Sequence, residues 1–233
     1  MIDFYTAGTP NGHKIAIMLE ELGVDYKVIE IDLGANEQKR PEFLKLNPNG
    51  KIPVIVDHQP AFGNESYTVF DSGAILIYLA EKYQRFLSSD PILKYQTIQW
   101  LMFQMSGVGP MMGQLNVFRH YAPEHIPFAI KRYAAEARRL FEVFNTGLKG
   151  KDYIAGEYSI ADIANFAWMR QHEWSGIDVQ GLDNVLAWIE RVGKRTAAIK
   201  GCEIPHKMLG GSSEDDKDNT IKKGQNMLVG GEE

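Results

Sequence analysis

The apolar residues of this chain change period once along its length, and that change limits the fold more than any other feature. Up to about residue 83, four short strand-like runs, Ile2 to Tyr5, Val28 to Ile31, Val54 to Val56 and Tyr67 to Phe70, are interleaved with helical stripes. The first stripe covers Asn11 to Leu22, with Ile15, Met18, Leu19 and Leu22 at spacings of three and four, and Asn11 is a good residue to cap it. A short helix is expected around Pro41 to Leu44, and another starts at Asp71-Ser72, where a Ser cap precedes Ala74, Ile75, Tyr78 and Leu79 on one stripe. The order β-α-β-α-β-β-α predicts a small α/β domain.

After Gln84 to Pro91, where Arg, Ser-Ser and Asp-Pro interrupt the pattern, strand signals stop. Ile126, Ile130, Tyr133, Ala137, Leu140, Phe141 and Phe144 define the core stripe of one long helix in an all-helical second domain. Ser159-Ile160-Ala161-Asp162 has the form of a capping box, in which loss of Asp162 is expected to cost about 0.5–2 kcal/mol. The expected division is a first domain over 1–83, a linker over 84–91, a helical domain over 92–205 and a polar tail over 206–233. That tail has few apolar residues beyond Ile221, Met227, Leu228 and Val229, too few to order it alone.

Composition removes several functions. A net charge of −5 offers no field for phosphate backbones or anionic lipid, so nucleic acid and membrane are not expected partners. Apolar runs such as Gly73 to Ala80 fall short of the ~20 residues of a membrane span, and Met1 leads straight into strand-like sequence without a signal peptide, so a cytoplasmic location is expected. The six histidines form no His-x-x-x-His pair, His120 and His125 being five apart, so no metal is expected. The single cysteine, Cys202, has no partner for a disulfide or a dithiol motif. Sulfur chemistry here needs a borrowed thiol.

Three segments of the first domain can supply a place for one. Thr9-Pro10-Asn11-Gly12 lies between strand one and helix one, where a thioredoxin or glutaredoxin carries its two cysteines; here a hydroxyl and an amide replace both thiols. A helix start favours an anion by ~0.3–1 kcal/mol, up to ~2 when partly buried, and a hydrogen bond to a charged group adds ~1.5–3. Moving a thiol pKa from about 8.5 to about 7 takes roughly 2 kcal/mol, so one helix start plus one donor suffices without a base. In Asn47-Pro48-Asn49-Gly50-Lys51-Ile52-Pro53-Val54, the residue before proline is extended, and a cis bond would turn the backbone of Ile52 outward to pair with a peptide edge. At Asp71-Ser72-Gly73, Ser72 and the helix N–H groups can hold a carboxylate while Asp71 takes an ammonium. Each segment alone reads equally as an ordinary cap or turn; it is their conjunction that fits a thiol-bearing tripeptide.

The segments 47–54, 71–78 and 159–163 resemble the hallmark stretches of glutathione transferases: the proline loop, the Glu/Asp-Ser helix start and the Ser-x-x-Asp box. The resemblance covers about residues 1 to 205. Thr9 to Lys14, Arg40-Pro41-Glu42-Phe43 and Ile126-Pro127 with Arg132 following are similar to the nu class, bacterial disulfide-bond reductases related to the yeast nitrogen-regulation prion protein. That resemblance implies a thioredoxin-like first domain with an all-α second one, and a homodimer that takes reduced or oxidised glutathione as substrate. It implies Thr9 and Asn11 near the sulfur, Asn11, Gln38, Ile52, Asp71 and Ser72 on the rest of the peptide, and Arg132 reaching the neighbouring subunit's site. Asp71 stands where many relatives carry Glu, one methylene longer, and the tail past Pro205 runs beyond the usual end. Tyr5 is a rival for the sulfur contact, since tyrosine-type transferases use a phenol near the end of strand one.

Three functions follow from that site. The first is glutathione-dependent disulfide reduction, in which a bound thiolate attacks a disulfide and a second glutathione closes the cycle. The second is conjugation to an electrophile in a pocket for which Trp100, Phe103, Met105, Met111 and Met112 are candidates, although at those spacings a core stripe explains them equally. The third is binding without catalysis.

Overall fold

The computed structural model describes residues 1–207, 218, 220–222 and 224–226. Its first part is a four-stranded sheet in the order β2-β1-β3-β4, from β1 (Ile2–Thr6), β2 (Tyr26–Glu30), β3 (Val54–Asp57) and β4 (Tyr67–Phe70). β1 and β2 are parallel, as the crossover helix α1 (Pro10–Leu22) requires, while β3 and β4 run antiparallel. A 3-10 turn at Glu37–Lys39 and α2 (Pro41–Leu46) precede β3, and α3 (Ser72–Tyr83) follows β4. This is the thioredoxin-like arrangement expected.

The second part is helical throughout: α4 (Pro91–Phe103), α5 (Gly109–Asn116), α6 (Pro127–Gly147), α7 (Ile160–Met169), α8 (Asp183–Gly193) and α9 (Thr196–Gly201). Two π-helical turns, Gln104–Val108 and Val117–Tyr121, flank α5. α6 is the long helix of the sequence stripe, 21 residues, burying Ala137, Leu140, Phe141 and Phe144 on one face, whereas Ile126, expected on that stripe, precedes the helix and is exposed.

α1 joins the two parts. It packs on α3 from its own domain and on α7 and α9 from the other. Its residues from Gly12 to Leu19 are therefore buried on every side, and one core runs through both domains. Trp188 of α8 fills the centre of the helical part against Phe144 and Phe166.

Two helix starts differ from expectation. The cap of α1 is Thr9, whose Oγ1 accepts from Gly12 N–H at 3.2 Å, and not Asn11. Pro10 takes the first helical position, where a missing N–H is harmless, which moves the cap back to Thr9. The cap of α3 is Asp71, whose Oδ1 accepts from Gly73 N–H at 3.0 Å, and not Ser72. Asp71 sits at φ 71°, ψ 122°, a region that side chains rarely enter, so the turn into α3 holds it under strain.

Candidate active site

The start of α1 opens into a cleft of about 790 Å³, within the ~300–1,000 Å³ usual for small-molecule sites. Thr9, Asn11, Gln38 and Ile52 all line it. Gly12 lets the chain turn into the helix there, because a Cβ would come within 2.4 Å of both Ala7 O and Thr6 Oγ1.

The donors at this helix start can be accounted for one by one. Pro10 has none, Gly12 N–H is taken by the Thr9 hydroxyl oxygen, and His13 N–H bonds the Thr9 carbonyl at 2.9 Å. What remains for a ligand is the Asn11 N–H, the Asn11 amide and the Thr9 hydroxyl proton. The Asn11 Oδ1 is already committed, accepting from Trp168 Nε1 of α7 at 2.9 Å. Three donors beside the positive end of a helix form a place for an anion.

No protein thiol competes for it. Cys202 lies at the end of α9, away from the cleft lining, and burial pushes its thiol pKa up, the opposite of an activated cysteine. Tyr5 is also off the lining: its ring packs edge-on against Phe43, and burial followed by the charge of Asp3 raises its pKa. The rival sulfur contact therefore has no geometric support.

The Ile52–Pro53 bond is cis, and the registers of β3 with its neighbours begin at Val54, which leaves Ile52 beyond the paired residues at the cleft wall. Asn47 stabilises this loop by donating to Lys51 O at 2.6 Å and accepting from Asn49 N–H at 3.0 Å. Gln38 is buried and its Oε1 has no partner, an unmet acceptor at the lining.

Asp71, Ser72 and Arg132 do not share that lining. Ser72 is buried and is tied instead to Lys14, which sequence reasoning missed. The fully buried Lys14 ammonium donates to Gln104 Oε1 at 2.6 Å, Ser72 Oγ at 3.1 Å and Met105 Sδ at 3.3 Å. Burial lowers its pKa to about 7, with the Asp71 charge pulling it back up. Ser72 Oγ accepts from Lys14, and its own proton goes to Met105 Sδ at 3.7 Å, a weak acceptor. The signal for Lys14 was the unbroken apolar run Ile15 to Leu19 after it, which marks a helix with no solvent face. Arg132 is exposed on α6, with Glu136 at 3.8 Å as its ion-pair partner.

The expected electrophile pocket of Trp100, Phe103, Met105, Met111 and Met112 is not part of the cleft. Trp100 packs edge-on and Phe103 stacks against Phe144 in the helical core, Met112 is fully buried, Met111 packs against the core and Met105 Sδ contacts Ser72. The side of the cleft facing the helical domain is built from Gly113, Asn116, Tyr121, Trp168 and Trp174, with Trp174 stacked on His120 at 4.2 Å. The tail adds to this wall. His206, Thr220 and Gly224 line the cleft, and Gly224 packs against the Tyr121 ring, where a Cβ would come within 2.6 Å of it. Residues 218–226 are thus held, where described, by their own chain; Met227, Leu228 and Val229 lie outside the described residues.

His13 fixes the entry of α1 from behind. Its Nδ1 accepts from Arg170 at 2.9 Å and its Nε2 lies 3.3 Å from His206 O, while burial and then the Arg170 charge lower its pKa to about 4. The imidazole is neutral at physiological pH and serves as a brace.

Known proteins share this arrangement. Residues 2–81 match the N-terminal domain model of glutathione S-transferases, and residues 121–195 match the C-terminal domain model. The chain is 50% identical over 198 residues to the disulfide-bond oxidoreductase YfcG of Escherichia coli, covering 84% of this chain and 92% of that protein. The chain belongs to the glutathione transferase family. Within the family its relatives are of the nu-class kind: the disulfide-bond oxidoreductase YghU of E. coli is 38% identical, over 86% of this chain and 73% of that one. A glutathione transferase of Pseudomonas putida, crystallised with one glutathione disulfide per subunit, superposes with a TM-score of 0.83 at 40% identity, covering 88% and 91% of the two chains. One from Burkholderia graminis, with two glutathione molecules per subunit, gives a TM-score of 0.84 at 40% identity, covering 88% of each chain. Among the described residues no helix is long and apolar enough to cross a membrane, and no group of His, Cys, Asp and Glu could hold a metal.

Proposed function

We propose that this protein is a glutathione-dependent disulfide-bond oxidoreductase whose attacking sulfur belongs to bound glutathione. The observation that carries the reading is the start of α1: three donors open to a cleft that no cysteine of the chain reaches. The glutathione-bound relatives and the named oxidoreductases support it.

Thr9 and Asn11 hold the glutathione sulfur as a thiolate, its proton passing to water. The thiolate attacks one sulfur of a substrate disulfide, a mixed disulfide forms, and the other sulfur leaves as a thiolate that takes up a proton. A second glutathione thiolate attacks the glutathione sulfur of the mixed disulfide, which releases the second substrate thiol and forms oxidised glutathione. The protein contributes alignment and charge stabilisation, with no covalent bond to its own atoms. Ile52 pairs with the cysteinyl unit, Gln38 supplies an acceptor, Asp71 takes the γ-glutamyl ammonium, and Ser72, with Lys14 behind it, takes the γ-glutamyl carboxylate. In a homodimer, Arg132 reaches the glutathione of the neighbouring subunit, which suits its exposed position on α6. The cytoplasm, where glutathione is kept reduced, is the matching compartment.

A glutathione-coupled disulfide assay of Thr9→Ala and Asn11→Ala tests the assignment, and wild-type activity in both variants would remove it. Conjugation is a second reading, favoured by the aromatic wall of Tyr121, Trp168 and Trp174 opposite the sulfur site. A halonitrobenzene assay run beside the disulfide assay separates the two.

A further inference from the structure

The Asn11 amide has two orientations with opposite consequences for a thiolate. With Nδ2 towards the sulfur it donates; turned by half a rotation it presents an acceptor, which repels negative charge. Nothing within the first domain decides between them.

The decision comes from the helical domain. The indole N–H of Trp168 is a donor with no acceptor capacity, so the atom it meets at 2.9 Å is Asn11 Oδ1 on chemical grounds, independent of how the two ends of an amide are told apart. The amide is planar, and with Oδ1 held by the indole, Nδ2 is the end left for a ligand in the cleft that Asn11 lines. The indole in turn has little freedom. Its ring lies over Gly109 and Gly113 of α5, where an added Cβ would sit 3.5 Å from it, and Asn165, one turn earlier on α7, donates to Trp100 O at 3.1 Å.

We infer that Trp168 is a positioning residue for the sulfur chemistry: its indole N–H holds the Asn11 amide with the donor end towards the glutathione thiolate. This rests on the placement of the sulfur at Thr9 and Asn11. It also makes thiol activation depend on the docking of the two domains.

The test is the pKa of the bound glutathione thiol, read from the ultraviolet thiolate band across pH in the full chain. Trp168→Phe keeps an aromatic ring and removes the N–H; it raises the bound thiol pKa by about 0.5–1 unit, and Asn11→Ala raises it by about 1–2 units. The double variant matches Asn11→Ala alone, because Trp168 acts through the amide. If Trp168→Phe fails to fold, benzothienylalanine at position 168 preserves the ring size without the N–H and takes its place. An unchanged thiol pKa in Trp168→Phe, with a raised one in Asn11→Ala, overturns the inference and leaves the sulfur site standing; so do additive shifts in the double variant. No shift in Asn11→Ala removes both.

Discussion

The starts of α1 and α7 are built from the same parts, a hydroxyl cap at the end of an extended segment, and they are put to different uses. At α7 the Asp162 carboxylate accepts from Ser159 N–H at 3.0 Å, Ser159 O–H at 3.1 Å, Ile154 N–H at 3.0 Å and Trp188 Nε1–H at 2.9 Å. Burial raises its pKa to about 6 against the pull of those donors, so it is ionised at neutral pH with every oxygen occupied. At α1 the Thr9 cap satisfies one donor and leaves others facing a cleft. Closed donors stabilise the fold, and open donors are left for a ligand. Which of the two a cap becomes depends on what the rest of the chain brings to it.

That contrast predicts losses of different kinds. The largest is in stability: Asp162→Ala leaves buried donors from three residues without an acceptor and costs about 3–5 kcal/mol in denaturant unfolding. A loss within the 0.5–2 kcal/mol of a simple cap would show that the extra donors contribute little. Asn11→Ala reverses the pattern, lowering kcat about tenfold to hundredfold while changing stability by less than about 1 kcal/mol. Thr9→Ala, which removes both a cap and a donor, loses about 1 kcal/mol of stability as well as turnover. A large stability loss in Asn11→Ala would break the distinction.

Lys14 sharpens the same comparison at α3, where a buried cation stands behind the helix start. Its pKa is near 7 in the folded chain against an ordinary 10.5, so between those values the unfolded state binds more protons. The contribution of this group to stability therefore rises as pH increases from about 7 to about 10.5, and Lys14→Met flattens that rise in pH-dependent unfolding. A carboxylate on Ser72 favours the ammonium, so the affinity for S-methylglutathione, which has no thiol to ionise, falls as pH increases past about 7, and calorimetry at several pH values detects it. The smallest effect is at Arg132, exposed on α6: Arg132→Ala weakens binding of oxidised glutathione by about threefold to tenfold, as expected of a partly solvated charge contact.

Much of this was legible in the chain because local chemistry decides it. The succession of strands and helices along the first domain, the long α6, the turn before Pro53 and the cap box at Ser159 each follow from residues within a few positions of one another. The residues that remained hidden act across the domain boundary. Trp168 lies 157 positions from the amide it holds, and Lys14 reaches 90 positions to Gln104; no spacing rule spans such distances. Asn11 read as a cap because its residue type favours one, and only the indole opposite shows why its amide is used elsewhere. The methionines and aromatics at the end of α4 read equally as core or pocket, and packing against Phe144 decided for core.

The most direct test is the acidity of glutathione held by a Cys202→Ala protein, followed through its thiolate absorbance across pH. Saturable binding and a thiol pKa near 7, more than a unit below the usual value of about 8.5, are expected. A bound thiol that titrates at its solution value, or a protein that loses disulfide turnover with Cys202, would contradict the proposed function.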